Sequence, residues 1–346
     1  MKLKLALIGF GVVGQGLVEI LLEDQQKLKQ QYGFECQVVA VSDKLKGSAY
    51  HPDGLDMAKL LEMVKNNQSL SDYEGAETTG WDSLTTITKS NANTIVEVSW
   101  TDVQTGEPAI THVKTALTAG KHVTMTNKGP VALAAKELGE LAKQNNVMLK
   151  FEGTVMAGTP AINLCLNNLA GAGITEIQGI LNGTTNYILT EMEDGMEYEA
   201  ALQKAQELGY AEADPTGDVE GWDALAKVVI LSNVVLNYHL TKDQVEREGI
   251  TKITSADIAK AKEQGKRYKL IATMRLQSDG SVKGSVKPEK ISLSHPLAGV
   301  SGPTNALMFR TKYVDDITIM GPGAGKAATG FALLADLLEI SRSTSR

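Results

Sequence analysis

Between Ala205 and Lys227 the chain reads AQELGYAEADPTGDVEGWDALAK, which gathers Tyr210, Glu212, Asp214, Asp218 and Asp223 ahead of a single lysine, Lys227. Asp223 and Lys227 stand four positions apart, so a helix would stack them one turn above the other on the same face. The continuation, ALAKVVILSNVV, is apolar in nearly every direction around such a helix, which marks a buried helix and not one with a single apolar stripe. Lys227 is then a lone charge in apolar surroundings. Burial of an ammonium disfavours its charged form, and a carboxylate at Asp223 pulls the other way. A lysine held between those two pulls can exchange a proton near neutral pH. An ordinary ion pair, with the Lys227 stem reaching to water, has the same spacing; the acids just upstream favour a site. Several acids beside one lysine suit a small ligand that carries its own ammonium group.

Such chemistry needs a second reactant, and the N-terminal third offers a place for one. A β-rich apolar run from Leu3 to Ile8 leads into Gly9-Phe10-Gly11-Val12-Val13-Gly14 and then into QGLVEILLEDQQKL, which has helical periodicity. Strand, G-x-G-x-x-G and helix in that order predict a dinucleotide site: the first glycine for the tight turn, the second for approach of a pyrophosphate, the third for packing of helix on strand. The helix amides then face the phosphates. A glycine-rich strand-helix turn with no ligand is the plainer reading. A second strand from Cys36 to Val41 ends at Ser42-Asp43-Lys44. Asp43 is placed to hold the adenine ribose hydroxyls and repel a 2′-phosphate, whereas Lys44 and Lys46 would attract one, so NAD and NADP both stay open. Residues 44–93 are polar and turn-rich with an amphipathic piece from Met57 to Val64, an excursion with no assigned chemistry.

Thr94 to Trp100 reads as a buried strand, Pro108 to Leu117 as a helix and His122 to Met125 as a further strand. This alternation predicts an α/β chain with a Rossmann-type doubly wound sheet, whose ligands gather at the carboxyl ends of the strands. Two such ends are Ser99-Trp100-Thr101 and Thr126-Asn127-Lys128-Gly129-Pro130. Lys128, between a strand and a helix, is expected to face the crevice; surface decoration is the alternative. Ile174 to Leu181 alternates as a strand and ends in Asn182-Gly183-Thr184-Thr185-Asn186, where amides and a hydroxyl are available to a ligand or to a helix cap. Thr318 to Met320 leads to Gly321-Pro322-Gly323-Ala324-Gly325 and a closing helix, a turn that can cover a cofactor or simply end a strand.

The spacing A-x3-G-Y-x-E-x-D-P-x2-D-x2-G-x-D-x3-K over 205–227 resembles the signature of homoserine dehydrogenases along its whole length, and the resemblance covers nearly the full chain. It implies NAD(P)-dependent interconversion of L-homoserine and L-aspartate 4-semialdehyde. In that reading Lys227 gives or takes the hydroxyl proton, Asp223 orients and tunes it, and Glu212 and Asp218 bind the substrate ammonium or hydroxyl beside Tyr210. T-N-K-G-P is similar to the family's lysine turn, which implies Lys128 next to nicotinamide and substrate. Gly183 and Thr184 become a wall shared by both, and Gly325 part of the cofactor cover. The stretch Phe151-Glu152-Gly153-Thr154-Val155-Met156-Ala157-Gly158-Thr159-Pro160 offers oxygen ligands of the kind hard cations favour, or merely a crossing between domains. The resemblance implies a structural sodium ion there, held by Glu152 and the carbonyls of Val155, Ala157 and Thr159. It also implies a homodimer through the second domain's sheet. Many members carry an added C-terminal amino-acid-binding module; this chain ends at Arg346 soon after the closing helix, so threonine feedback through such a module is not expected.

At 346 residues the chain has room for two domains: a dinucleotide-binding domain of residues 1–135 with 306–346, and an α+β substrate-binding and dimerisation domain of residues 136–305. A net charge of −7 and a pI near 5.4 exclude an extended nucleic-acid footprint, which wants a basic face. No apolar run approaches the ~20 residues of a membrane span. Cys36 and Cys165 are the only cysteines and have no metal-ligand spacing, so the expected compartment is the reducing cytoplasm. Two other enzymes and a non-enzyme fit parts of this pattern. A semialdehyde dehydrogenase forming acyl phosphates needs a thiolate, and Cys165 in NLCLNN reads as a packed helix residue. A two-domain sugar oxidoreductase shares an N-K-G-P-like turn and lacks D-x2-G-x-D-x3-K. A nucleotide-sensing protein would bind cofactor without turnover.

Overall fold

Short β-branched runs alternating with amphipathic helices fill the first part of the structure, a computed structural model that describes residues 2–102 and 104–344. In chain order these are β1 (Leu3–Ile8), α1 (Val12–Glu23), α2 (Gln25–Tyr32), β2 (Cys36–Asp43), β3 (Gly47–Tyr50), α3 (Met57–Lys65), β4 (Thr78–Thr79), α4 (Ser83–Lys89), β5 (Thr94–Glu97), α5 (Ala109–Thr118), β6 (His122–Met125), α6 (Lys128–Gln144) and β7 (Leu149–Lys150). They form a seven-stranded sheet in the order β4-β3-β2-β1-β5-β6-β7. From β2 across to β7 every pairing is parallel, and β3 and β4 extend the β2 edge antiparallel. The strands leave β1 in opposite directions, towards β2 and towards β5, so the order reverses there and opens the crevice in which ligands of such sheets bind. Register pairs Ile8 with Glu97 and Glu97 with Met125. The segments that follow β1, β5 and β6 therefore leave the sheet side by side.

The second unit contains β8 (Ile174–Ile180), α7 (Gly183–Glu193), α8 (Tyr198–Glu207), α9 (Thr216–Val219), α10 (Trp222–Val234), β9 (Val245–Arg247), α11 (Ser255–Glu263), β10 (Lys266–Leu276), β11 (Val282–Ser292), β12 (Thr304–Thr311) and β13 (Asp316–Pro322). Its six strands run β13-β12-β8-β10-β11-β9, antiparallel except for β9 beside β11. Ile177, Met274 and Phe309 are level on adjacent strands and fully buried, and α7 and α10 both pack on this sheet. Helix α10 is buried almost all round, from Ala224 to Ser232, as its uniformly apolar sequence requires.

The closing helix α12 (Lys326–Thr344) belongs to the first unit and packs on α1. The approach is close: a Cβ on Gly16 would lie 2.5 Å from the Lys326 carbonyl oxygen. The α/β class with a doubly wound first sheet and an α+β second unit is the observed architecture. The units are Met1–Gly158 with Gly325–Arg346, and Thr159–Ala324. Both borders fall later than the expected 135/136 and 305/306. β7 pairs with β6 and keeps residues beyond 135 in the first sheet, while β12 pairs with β8 and β13 with β12, so only α12 returns. The stretch 44–93 is also more ordered than an excursion, with two edge strands and two helices, and the strand expected over Thr94–Trp100 stops at Glu97.

Candidate functional site

The glycine-rich turn has the geometry its spacing predicts. Gly9 has φ +96°, and a Cβ there would lie 2.5 Å from the Val98 carbonyl oxygen, so no other residue fits. Gly11 is the N-cap of α1 without a side-chain cap bond, and nothing lies within 4 Å of a Cβ built on it. Open ground beside first-turn amides is the kind of surface that a pyrophosphate can approach. A Cβ on Gly14 would be 3.0 Å from the Gly9 carbonyl oxygen, the close packing of the third glycine. Phe10 contributes its backbone, since its ring is in the core; Val13 packs partly against that core and Val12 is exposed on the first turn of α1.

Asp43 fastens the end of β2 to this turn. Its Oδ2 accepts from the Phe10 amide at 2.7 Å and its Oδ1 from the amides of Leu45 and Lys46 at 2.9 and 3.0 Å, with Lys46 Nζ 3.8 Å away. Burial by itself would raise the Asp43 pKa; the three amides and the Lys46 charge outweigh it and hold the carboxyl below its ordinary range. At the next strand ends, Ser99 donates its hydroxyl to Glu97, and the Asn127 side-chain amide donates to the other oxygen of the same carboxylate. Trp100 is exposed, whereas the Thr101 hydroxyl is buried without a hydrogen-bond partner among the described residues. Lys128 is the first residue of α6. Gly325, with φ +122° and open space where a Cβ would stand, immediately precedes α12.

In the second unit the predicted pair is present. Lys227, 5 % exposed, donates from Nζ to Asp223 Oδ2 at 2.8 Å and to the Leu181 carbonyl oxygen at 2.5 Å. Asp223 is in the first turn of α10, where the helix dipole favours a carboxylate. Asn182 joins the acids: its Nδ2 donates to Asp218 Oδ1 at 2.7 Å and to Asp223 Oδ2 at 3.0 Å, and its Oδ1 caps α7 at Thr185 N. Thr184 Oγ1 donates to the Tyr210 carbonyl at 2.6 Å, which ties the start of α7 to the acidic loop, and the Tyr210 ring lies 5.0 Å from that of Tyr187. Gly183 is required here, because a Cβ would lie 2.7 Å from the Pro303 carbonyl oxygen. Burial raises the Asp218 pKa, the Asn182 bond lowers it, and the neighbouring Asp223 charge adds to the rise, leaving a net increase. Glu212 is different: its carboxylate is exposed and stands outside this bonded group, and its carbonyl accepts from Gln206. Asp214 accepts from the Thr216 amide at 3.1 Å, a turn two residues ahead of α9.

Glu152 is 2 % exposed, with its amide donating to Asp336 Oδ2 at 3.2 Å. Val155 and Ala157 are buried, and Met156 and Ala157 are successive left-handed residues with φ +58° and +48°. Thr159 opens the second unit and donates to the Pro322 carbonyl at 3.3 Å. Among the described residues no group of three or more His, Cys, Asp or Glu is arranged to hold a metal ion. One carboxylate with several carbonyls is a donor set for a hard, weakly charged cation and not for a transition metal.

Sequence reading missed Asn182 as the bridge between the acids, the Leu181 carbonyl on Lys227, and Glu97. Only Glu97 left a trace, an acid in the otherwise apolar IVEV.

Comparison with known proteins gives one family. Residues 160–338 match the family described as homoserine dehydrogenase, and residues 9–152 that described as homoserine dehydrogenase, NAD binding domain. An NAD(+)-dependent homoserine dehydrogenase of Pseudomonas canavaninivorans is 43 % identical over 99 % of this chain and 97 % of its own length. A homoserine dehydrogenase of Methanocaldococcus jannaschii is 39 % identical over 99 % and 100 %. Among solved structures, a putative homoserine dehydrogenase from Archaeoglobus fulgidus superposes with a TM-score of 0.87 at 35 % identity, covering 98 % of this chain and 99 % of that one. A hyperthermophilic archaeal homoserine dehydrogenase mutant in complex with NADPH gives 0.84 at 32 % identity, covering 99 % and 98 %.

Proposed function

This chain belongs to the homoserine dehydrogenase family, and from that premise we propose which of its groups carry the reaction. The enzyme is an NAD(P)-dependent oxidoreductase that interconverts L-aspartate 4-semialdehyde and L-homoserine. When bound, the nicotinamide cofactor would supply the hydride for reduction of the aldehyde carbon, and the substrate oxygen must then gain a proton as its C=O bond becomes C–OH. Lys227 gives that proton and takes it back in reverse. The observation that carries this is the buried Nζ at 2.8 Å from Asp223 Oδ2: a donor with its charge compensated and its direction fixed. Asp223 orients Lys227, Asn182 holds Asp223 and Asp218 at a fixed spacing, and Asp218, with Tyr210 and Thr184 nearby, receives the substrate ammonium. Glu212 on the same loop is the second acid for that ammonium. Lys128 neighbours the aldehyde or nicotinamide end. Cys165, 4 % exposed and packed, is no nucleophile for an acyl-phosphate reaction.

Asp218 connects substrate binding to stability. Its folded pKa is raised above the unfolded value, so its contribution to stability is complete below the unfolded pKa and is lost as pH rises through the folded one. Asp218→Asn is therefore expected to raise Tm relative to the parent at pH 8 and by less at pH 4. The KM for L-homoserine rises about tenfold, the scale of one lost charged hydrogen bond. Thermal melts at the two pH values with a substrate titration check this; a Tm gain that is the same at both contradicts it.

The Gly9–Gly14 turn and Asp43 bind the cofactor, with Ser99, Trp100, Thr101, Lys128, Gly183 and Gly325 around it. Asp43, a fixed carboxylate at the end of β2, discriminates against a 2′-phosphate. Asp43→Ala is expected to shift the ratio of kcat/KM for NADPH over NADH upward by about tenfold; an unchanged ratio would remove Asp43 from cofactor choice.

Glu152 and the carbonyls of Val155, Ala157 and Thr159 hold a sodium ion that stabilises the loop and takes no part in hydride transfer. Two successive left-handed non-glycine residues cost about 1–3 kcal/mol each, a cost that oxygen–cation contacts offset. Replacing choline chloride by sodium chloride at constant ionic strength raises Tm in the parent and leaves Glu152→Gln unmoved; equal responses would refute the site. The assembly is a homodimer built on the β8–β13 sheet.

A further inference from the structure

We infer that Glu97 is a positioning residue for the cofactor site, a buried carboxylate that sets the strand ends after β5 and β6 as one piece. Parallel strands covered on both faces are near-continuous apolar runs, and Ile95 and Val96 keep to that rule. Glu97, the last residue of β5, breaks it while being 0 % exposed. A carboxylate removed from water is costly unless donors surround it, and here the donors come from three segments. Ser99 gives its hydroxyl from the β5 end, Asn127 its side-chain amide from the β6 end, and His112 on α5 lies with Nδ1 at 3.1 Å.

Asn127 supplies an independent sign. It is the N-cap residue of α6 and makes no side-chain cap bond, although asparagine is among the strongest N-caps and such a bond contributes about 1 kcal/mol. Its amide is turned to Glu97 instead. The backbone entering Lys128 is thus oriented by a carboxylate on the neighbouring strand, and the same carboxylate fixes the Ser99 hydroxyl. His112, 6 % exposed, holds the same carboxylate from α5. With no exposed atom Glu97 does not touch the cofactor; it acts through Ser99 and the Asn127-Lys128 turn. This rests on the reading above that those strand ends face the cofactor.

The test is fluorescence titration with NADH and with NADPH, free of turnover, on the parent, Glu97→Gln, Ser99→Ala, Lys128→Ala and the Glu97→Gln/Ser99→Ala double variant. Glutamine keeps the size, but its amide nitrogen cannot accept, so Ser99 or Asn127 loses its acceptor. Glu97→Gln is expected to keep a cooperative unfolding transition and to raise Kd for the preferred cofactor about tenfold, the scale of one charged hydrogen bond. In the double variant, removing Ser99 should weaken binding less than Ser99→Ala weakens the parent, because both residues act through the same carboxylate. A folded Glu97→Gln with the parent's Kd, or a double variant whose effects multiply, overturns the proposal. If Glu97→Gln fails to fold, Asn127→Ala replaces it, with the same rise expected and the parent's Kd again overturning. Parental Kd values in both Ser99→Ala and Lys128→Ala would refute the strand ends as cofactor contacts, and the role of Glu97 with them.

Discussion

Replacing Lys227 with alanine is expected to lower kcat by about 10²–10⁴ in both directions, the usual contribution of a positioned general acid or base, with little change in cofactor Kd. Three features put the effect at the proton and not at the fold. Lys227 is buried, its Nζ has two fixed acceptors in Asp223 and the Leu181 carbonyl, and its helix α10 is held by apolar neighbours that alanine leaves intact. Alanine does leave Asp223 without its cation, so some Tm is lost as well. The Asn182 amide still donates to Asp223 and limits that loss. Stopped-flow oxidation of NADH or NADPH, with cofactor titration on the same preparations, separates the two. Near-parental turnover in Lys227→Ala, with activity lost in Lys128→Ala, would move the proton transfer to the other lysine.

The second large effect is on the glycine-rich turn. Gly9→Ala places a methyl group 2.5 Å from the Val98 carbonyl oxygen, 2.6 Å from its carbon and 2.7 Å from Ser99 N, at φ +96°. All three are backbone atoms of the adjoining strand end, so no side chain can swing away. The left-handed conformation alone costs an alanine about 1–3 kcal/mol, and the clash pushes β1 from β5 where the cofactor is expected. Cofactor Kd should rise more than about 100-fold, and Tm should fall by about 3–10 °C. Gly11→Ala is the contrast. Its φ is −76° and a Cβ has open space, so Tm should stay with the parent while Kd still rises because the methyl occupies the phosphate cradle. A Gly9→Ala protein that binds cofactor as the parent does would contradict the turn's assignment, and a Gly11→Ala protein that does so would contradict the cradle.

The parts legible in the sequence are those set by local pattern. The order of strand, glycine turn and helix at Leu3–Glu23, and the Asp223–Lys227 pair on a helix without a polar face, follow from periodicity and spacing over a few turns. The parts not legible depend on register between distant strands and helices. Asn182 meets Asp218 and Asp223 only because α7 and α10 pack on the same sheet. Glu97 meets Asn127 only because β5 and β6 are neighbours in this register. The late borders between units have the same origin, since nothing within Thr304–Pro322 announces that β12 pairs with β8 and β13 with β12. Glu212 and Asp218 share a motif, yet packing buries one more than the other.

The most direct test of Lys227 as the acid-base group is chemical rescue: initial rates of L-homoserine oxidation by Lys227→Ala at saturating cofactor, with small primary amines of graded basicity added. Rates are expected to rise with amine concentration and to follow the amine's basicity, with no such response in Lys128→Ala. A Lys227→Ala enzyme that binds both reactants and is inert to every amine, while Lys128→Ala is rescued, would contradict it.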